Sequence, residues 1–215
     1  MKKSVIINKR SLDDQAAEII RQDIINGDLA PGTRLIETAL AKEYDLSRGT
    51  IRTALHHLGN EGLVTQIPYA GWSVTKLEKR DIWELYTLRS TFEGMAAKLA
   101  AQCITDEGVK HLQAAYHSLL DLCEGDDLKA ITLADLNLHK TIIELSNHTR
   151  LALQYRLIEN QFLVYIMAAN RVFDPKKVGI SHQALVDAIC SGESDTAETE
   201  AIKNITGFED GELFI

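Results

Sequence analysis

Asp135 and His139 are four residues apart in the segment LADLNLHKTIIEL, and this spacing places them on one face of a helix. The same face carries Ile131, Leu138 and Ile142, so the pattern directs both ionisable groups toward a protein core. A buried polar group without a partner costs about 1 to 3 kcal/mol, and more when it is charged. We therefore expect both side chains to have polar partners in the interior.

Three further helical segments each interrupt an apolar row with one polar residue. The interrupting residues are His182, Asn204 and Arg89. Since four helices thus each place a polar side chain on an inward face, we expect these side chains to contact one another. The apolar rows are Val178, Leu185 and Ile189 around His182, Ala197, Ala201 and Phe208 around Asn204, and Ile82, Leu85, Phe92 and Ala96 around Arg89.

The chemistry of these residues is that of a metal site. Asp135, His139 and His182 offer the oxygen and nitrogen ligands that a divalent first-row metal takes, and Asn204 adds a weaker carbonyl oxygen. The sequence therefore predicts a site for a divalent transition metal, with zinc, nickel or manganese as candidates. The alternative is a polar core in which the same residues hydrogen-bond to one another and bind no metal.

A small cationic face is predicted in another stretch, DLSRGTIRTALHHLGNEGLV. Ser47 is placed to cap a helix over residues 48–60, because its hydroxyl can accept a free backbone N–H of the first turn. Arg48 and Arg52 lie together on one side of that helix, near its start, and the apolar residues lie on another side. The stretch thus combines a packed face with a cationic one.

The neighbouring segments give this helix a context. The segment IETALAKEYDL predicts a short helix before it, and two short strands are predicted after it in GLVTQIP and GWSVT, joined by YAG. This order predicts a helix-turn-helix followed by a β-wing. The second helix of such a unit enters the major groove with its N-terminal residues at the base edges, where Ser47, Arg48, Thr50 and Arg52 lie. The alternative is a solvated arginine pair on a surface helix.

Charge and patterning divide the chain at the same place. Residues 1–76 carry ten Lys or Arg and nine Asp or Glu, a net charge of +1, whereas residues 77–215 carry 13 against 22, or −9. Short elements separated by Pro and Gly occupy the first part, and long helical segments occupy the second. We predict a mainly α protein with a winged helix-turn-helix domain at 1–76 and an all-helical bundle at 77–215. The predicted helices of the bundle are 78–103, 106–124, 127–146, 150–171, 175–190 and 195–208.

The composition favours a folded cytoplasmic protein. With 215 residues and 45% hydrophobic content, the chain can bury a substantial core. The first ten residues, MKKSVIINKR, are basic but lack the apolar run of a signal peptide, and no stretch approaches a membrane span. Cys103, Cys123 and Cys190 are odd in number and widely separated, which argues against a disulfide framework or a cysteine-based zinc site.

The stretch INGDLAPGTRLIETALAKEYDLSRGTIRTALHHLGNEGLVTQIPYAGWSV, at residues 25–74, resembles the DNA-binding domain of GntR-type bacterial transcription regulators. The likeness lies in the PGTRL turn, the LSR…IR.AL..L..EGLV core and the P..G..V wing. It implies a homodimer that binds a two-fold symmetric operator in double-stranded DNA. The chain departs from the family at Ala70, where the wing commonly has Arg, and at Gly49-Thr50, where the helix commonly has Thr-Pro. By motif, the family's DNA contacts fall on Arg34, Ser47, Arg48, Thr50, Arg52 and Gly71.

The helical part is similar to the FCD ligand-binding domain of the FadR-like branch, which usually carries a D-x-x-x-H motif and two further histidines. Asp135 and His139 match the motif, His182 matches the first further histidine, and Asn204 stands where the second is usual. Arg89, in LRSTFEGMAA, matches the family pattern LR..LE..AA and looks like the residue that binds an acidic effector. Its alternative role is an i, i+4 ion pair with Glu93.

Together these features favour a transcription regulator whose operator affinity changes when a small organic acid binds in the helical domain. One alternative is a small metal-dependent hydrolase with an accessory winged helix, and another is a winged helix that makes only protein contacts. The hydrolase is disfavoured because the polar rows contain no evident nucleophile or additional general base. We therefore expect no enzymatic activity.

Overall fold

The computed structural model describes residues 10–76, 78–168 and 174–206. The chain divides into two compact units, Met1–Lys76 and Leu77–Ile215. The fold is mainly α, as predicted, with one three-stranded antiparallel sheet in the first unit in the order β1-β3-β2. The elements of the first unit are α1 (Leu12–Asn26), β1 (Arg34–Leu35), α2 (Glu37–Glu43), α3 (Arg48–Asn60), β2 (Val64–Ile67) and β3 (Gly71–Val74).

The predicted helix-turn-helix and wing are present as α2, α3, β2 and β3. Two elements of this unit, α1 and β1, were not predicted from the sequence. Helix α1 begins after Ser11, whose Oγ accepts a hydrogen bond from the Asp14 N–H at 3.2 Å, and it ends at Gly27, which has φ +86°. It packs against α3 and buries Ile20 and Ile24.

The second unit is entirely helical in its described part. Its elements are α4 (Lys79–Cys103), α5 (Asp106–Cys123), α6 (Leu128–Leu145), α7 (Thr149–Ala168), α8 (Pro175–Ser181), α9 (Gln183–Cys190) and α10 (Ser194–Thr206). The single helix predicted over 175–190 is instead divided at His182 into α8 and α9. Phe208 and the ends of the helices predicted to reach residues 171 and 208 lie outside the described residues.

The core of the helical unit contains the apolar rows that the sequence predicts. Ile131 and Leu138 of α6 are fully buried, and so is Ile189 of α9. Helix α10 approaches α4 closely, because a Cβ on Gly94 would lie only 3.0 Å from Ile202 Cγ1. This packing fixes the relative positions of the helices that carry Arg89 and Asn204. No helix in the described part of the chain is long and apolar enough to cross a membrane.

Candidate functional site

The start of α3 has the geometry that the sequence predicts. Ser47 is its N-cap, and its Oγ accepts a hydrogen bond from the Thr50 N–H at 3.1 Å and lies 2.9 Å from Thr50 Oγ1. The side chains of Arg48 and Arg52 are 62% and 56% exposed. Two adjacent cations therefore face solvent at the first turns of this helix, beside the capping hydroxyls.

Glu37, the first residue of α2, pairs with both of these arginines. Arg52 donates from Nε to Glu37 Oε1 at 3.1 Å and from Nη2 to Oε2 at 2.9 Å, and Arg48 Nη2 lies 3.8 Å from Oε2. The hydrogen bond from Arg52 lowers the pKa of Glu37; burial opposes this shift, and the charges of Arg52 and Arg48 add to it. The carboxylate therefore stays ionised between the two guanidinium groups.

The wing is tied to β1 by Arg34, whose Nε and Nη2 donate to the Ala70 carbonyl at 3.2 and 2.9 Å. Gly71, at the start of β3, has φ +92°, a conformation that glycine adopts without strain. Beside it, Tyr69 has φ +62° and a fully exposed side chain. A fully exposed aromatic in this strained conformation at the turn of the wing is a candidate contact residue that the sequence analysis did not single out.

In the helical unit, three of the predicted metal ligands converge. Asp135 and His139 project from α6, and His182 comes from the junction between α8 and α9. His182 Nε2 lies 3.0 Å from Asp135 Oδ1 and 3.1 Å from His139 Nε2, and His139 Nε2 lies 3.8 Å from Asp135 Oδ1. The three ligand atoms all lie within 4.8 Å of one another. His139 and His182 are buried, as predicted.

The other ring nitrogen of each histidine has its own partner. His182 Nδ1 lies 2.8 Å from the Val178 carbonyl oxygen, which can only accept, so this nitrogen carries a proton. His139 Nδ1 contacts Glu93 Oε2. These contacts turn both Nε2 atoms toward Asp135. An outer-shell carbonyl or carboxylate on the second ring nitrogen is the arrangement that metal-binding histidines have in proteins.

Glu93 of α4 connects this cluster to Arg89. Its Oε1 accepts hydrogen bonds from Arg89 Nε at 2.5 Å and from the Tyr155 hydroxyl at 2.7 Å, while its Oε2 faces His139. The Arg89 guanidinium carbon lies 4.2 Å from the centre of the Phe162 ring. The i, i+4 ion pair between Arg89 and Glu93 is thus present, in a buried setting.

The charges in this network stabilise one another. Burial favours the neutral form of Glu93, but Arg89 and His139 outweigh it and lower the pKa of Glu93 to about 2. Burial likewise opposes ionisation of Asp135, yet the two histidines and Arg89 hold its pKa well below the ordinary value. Burial lowers the pKa of His182, and the hydrogen bond and charge of Asp135 reverse this and raise it. Without a metal ion, the arrangement therefore favours the imidazolium form of His182, with a proton on each ring nitrogen.

Asn204 is buried on α10 but has different contacts. Its Nδ2 lies 3.3 Å from both the carbonyl oxygen and the Oγ of Ser181, the residue before His182. The amide of Asn204 therefore donates its hydrogen bonds to Ser181. Asn204 lies beside the cluster because Ser181 directly precedes His182 in the chain. The prediction that it supplies a fourth ligand remains a prediction.

Several residues of these two sites were not identified from the sequence as parts of them. The sequence pattern indicates Glu93 only as a partner of Arg89, and it does not indicate Tyr155 or Glu37. A signal was available for Glu93, because it shares the inward face of α4 with Arg89. No comparable signal exists for Glu37, since its pairing joins two different helices.

Sequence comparison agrees with these two units. Residues 12–74 match the family described as "Bacterial regulatory proteins, gntR family", and residues 84–206 match the FCD domain. The chain belongs to the gntR family of bacterial transcription regulators and carries an FCD domain. Regulators of this family bind DNA operators and are not enzymes, so the hydrolase alternative is not supported.

Individual relatives are distant but cover most of the chain. The chain is 21% identical to the "Probable D-xylose utilization operon transcriptional repressor" of Paenarthrobacter nicotinovorans, over 94% of this chain and 89% of the relative. It is 25% identical to the "Gluconate operon transcriptional repressor" of Bacillus licheniformis, over 88% and 80%. Among solved structures, Escherichia coli McbR/YncC has the same fold, with a TM-score of 0.79 at 20% identity, covering 94% of this chain and 96% of that one.

Proposed function

We propose that a small organic acid, bound in the helical unit, controls the operator affinity of this regulator. Asp135, His139 and His182 would hold a divalent transition metal, and Arg89 would bind the acid. The carrying observation is the convergence of one carboxylate oxygen with the Nε2 atoms of two buried imidazoles. A ligand that binds one conformation of the regulator better than another changes its DNA affinity by the same coupling free energy.

The three ligand atoms fit a metal ion. With Nδ1 protonated on both rings, each Nε2 presents a lone pair, and Asp135 presents a carboxylate oxygen. Three electron-pair donors then face one another at 3.0 to 3.8 Å, which requires a cation or a proton between them. When bound, a metal ion would supply positive charge and open coordination positions for an acid oxygen. The polar-core alternative places a proton on His182 Nε2 instead.

The exposure and contacts of Arg89 support the second part of the proposal. The residue is only 6% exposed, and within the described residues its guanidinium donates one hydrogen bond, from Nε to Glu93. Its charge also lowers the pKa of Asp135, so it acts near the proposed ligands. The Nη groups of a buried guanidinium are matched in geometry to a carboxylate. One relative is named as the repressor of a gluconate operon, and gluconate is an organic acid, whereas another is named for the utilization of D-xylose, a neutral sugar.

Metal and acid binding can be tested together. We expect elemental analysis of the zinc-, nickel- or manganese-loaded protein to find metal, and the His139→Ala variant to lose it. Asn204→His should bind the metal about tenfold or more tightly, because it adds a nitrogen ligand beside His182. Gluconate and short dicarboxylates should raise the melting temperature of the loaded protein, whereas the neutral sugar glucose serves as the matched control.

The same experiment identifies the role of Arg89. Arg89→Ala should abolish the thermal shift caused by the acids, and Arg89→Lys should weaken it, since lysine keeps the charge but loses the two-pronged donor. Chelated wild-type protein should also lose the shift. Absence of metal from both the parent and Asn204→His, together with an acid response that survives Arg89→Ala, would leave these residues as a hydrogen-bonded polar core.

We further propose that the regulator is a cytoplasmic homodimer on a two-fold symmetric operator. One winged unit presents a single α3, so specific binding is expected to use two copies in successive major grooves, about 34 to 36 Å apart. On α7, Leu153 and Leu157 form an apolar i, i+4 pair with exposed fractions of 57% and 43%. An exposed pair on one helix face is a candidate for contact with a second copy.

Sedimentation measures this assembly directly. We expect a dimer for the wild type and a shift toward monomer for Leu153→Glu/Leu157→Glu, since burying two carboxylates in an interface is unfavourable. The control is Leu122→Glu, an exposed leucine on α5. A wild-type monomer that protects a single isolated half-site from nuclease would contradict the homodimer.

A further inference from the structure

Glu37 pairs with both arginines at the start of α3, and it does so from the preceding helix. The pairing with Arg52 is bidentate, with donor–acceptor distances of 3.1 and 2.9 Å. A bidentate pair fixes the plane of the guanidinium as well as its position. Arg52 is therefore held in one orientation, even though more than half of its side chain is exposed.

We propose that Glu37 is a specificity-determining residue of the DNA interface. It orients Arg52 so that the free edge of the guanidinium reads a guanine in the major groove, and it offsets the positive charge that would otherwise bind phosphates of any sequence. Glu37 acts through the arginine and is thus a positioning residue. The inference rests on the DNA binding of the family and is independent of the effector and the metal.

The first half of the proposal, the contact with guanine, rests on the N–H donors of Arg52 that Glu37 leaves free. Glu37 takes Nε–H and one hydrogen of Nη2, which leaves the other Nη2 hydrogen and both Nη1 hydrogens. These remaining donors form the outer edge of a planar fork. Two parallel N–H groups match O6 and N7 of guanine, the commonest specific contact in the major groove.

The second half of the proposal, weaker binding to phosphates of any sequence, rests on electrostatics. Unpaired arginines on a DNA-binding face attract phosphates without regard to sequence and supply most non-specific affinity. Here the carboxylate of Glu37 accepts two hydrogen bonds from Arg52 and lies 3.8 Å from Arg48, so it offsets part of the positive charge of both arginines. A phosphate that reaches the free donors of Arg52 is brought near the negative charge of Glu37, which repels it. Non-specific binding to phosphates is therefore penalised more than contact with guanine, because the guanine edge carries no net charge.

Two variants of Glu37 separate the position of its carboxylate from its charge. Glu37→Gln removes the charge with little change of shape, and Glu37→Asp keeps the charge but is one methylene too short to hold both arginines. The matched control is Glu43→Gln at the other end of α2, because Glu43 is exposed and makes no ion pair among the described residues. Thermal unfolding of each variant verifies that the winged unit stays folded.

The probes are two DNA duplexes. One is the duplex that the full-length wild-type protein selects from a randomised pool, and the other has the same composition in scrambled order. Dissociation constants for both, measured by fluorescence anisotropy at several salt concentrations, give a specificity ratio. We expect Glu37→Gln and Glu37→Asp to lower this ratio about 5- to 100-fold, the discrimination of one bidentate base contact. Pools selected by Glu37→Gln should also lose a guanine at one fixed position.

The two halves of the proposal predict different behaviour of the variants. Glu37→Gln should bind the scrambled duplex more tightly than the wild type, with a steeper dependence on salt, because a cation is released for phosphates. Glu43→Gln should change both dissociation constants by the same factor and leave the ratio unaltered. An unchanged ratio in both Glu37 variants, or the same guanine preference in their selected pools, would overturn the proposal.

Discussion

Replacing Glu93 by glutamine is expected to lower the free energy of unfolding by about 3 to 5 kcal/mol, the cost of leaving a buried charge without its partner. Glu93 is 2% exposed and contacts Arg89, His139 and Tyr155. The variant keeps the size of the side chain and removes only its charge. Urea unfolding at pH 7, followed by circular dichroism, measures the difference.

The same helix provides the control for this prediction. Arg80 and Glu84 form an i, i+4 ion pair at 2.8 Å, with side chains that are 71% and 54% exposed. Exposed pairs contribute little because water screens them, so Glu84→Gln should not measurably change stability. Equal effects of the two substitutions would show that the Glu93 network does not contribute to stability through its burial.

The effect of Glu93 should depend on pH with a definite sign. Its pKa is lowered from 4.5 to about 2, so the stabilisation is fully present above the unfolded value of 4.5 and is lost as the pH falls toward 2. The difference between wild type and Glu93→Gln should therefore be largest near neutral pH and shrink below pH 4.5.

Replacing both Arg48 and Arg52 by alanine should give the largest loss of DNA binding. Each arginine is expected to contribute about 5- to 100-fold to the dissociation constant for the selected duplex. Because the two side chains share Glu37, the loss in the double variant should be smaller than the product of the single losses. Fluorescence anisotropy with the full-length protein measures all three variants.

The control for charge alone is Lys110→Ala in the helical unit, where the side chain is 73% exposed and forms an i, i+3 pair with Glu107. This substitution removes one positive charge without changing α3. It should leave the affinity for the selected duplex nearly unaltered. A folded Arg48→Ala/Arg52→Ala variant with wild-type affinity would refute the assignment of these arginines to the DNA interface.

Features that depend on one helix could be predicted from the sequence. The 3.6-residue period places Asp135 and His139 on one inward face of α6, where His139 is buried and the side chain of Asp135 is 16% exposed. The N-cap at Ser47 follows from local hydrogen-bond chemistry. Both predictions are confirmed. The same periodicity predicts burial of Arg89 and Asn204, which the structure also confirms.

Two short elements show where local pattern is insufficient. Strand β1 has only two residues, and its ladder exists because Arg34 and Leu35 lie opposite Ser73 and Trp72 of β3. No periodicity can be detected in two residues. Helix α8 and helix α9 form one continuous apolar row in the sequence, but the backbone is divided at His182.

The sequence by itself determined the family, the two-part organisation and the set of polar residues that face inward. The tertiary structure decided which side chains contact each other, including residues that the sequence pattern did not single out. His182 reaches His139 across 43 positions in the chain, Tyr155 reaches Glu93 across 62, and Arg52 reaches Glu37 across 15. The physical reason is that helical periodicity is set by local backbone geometry, whereas these pairings depend on how separate helices pack, and packing is cooperative over the whole core.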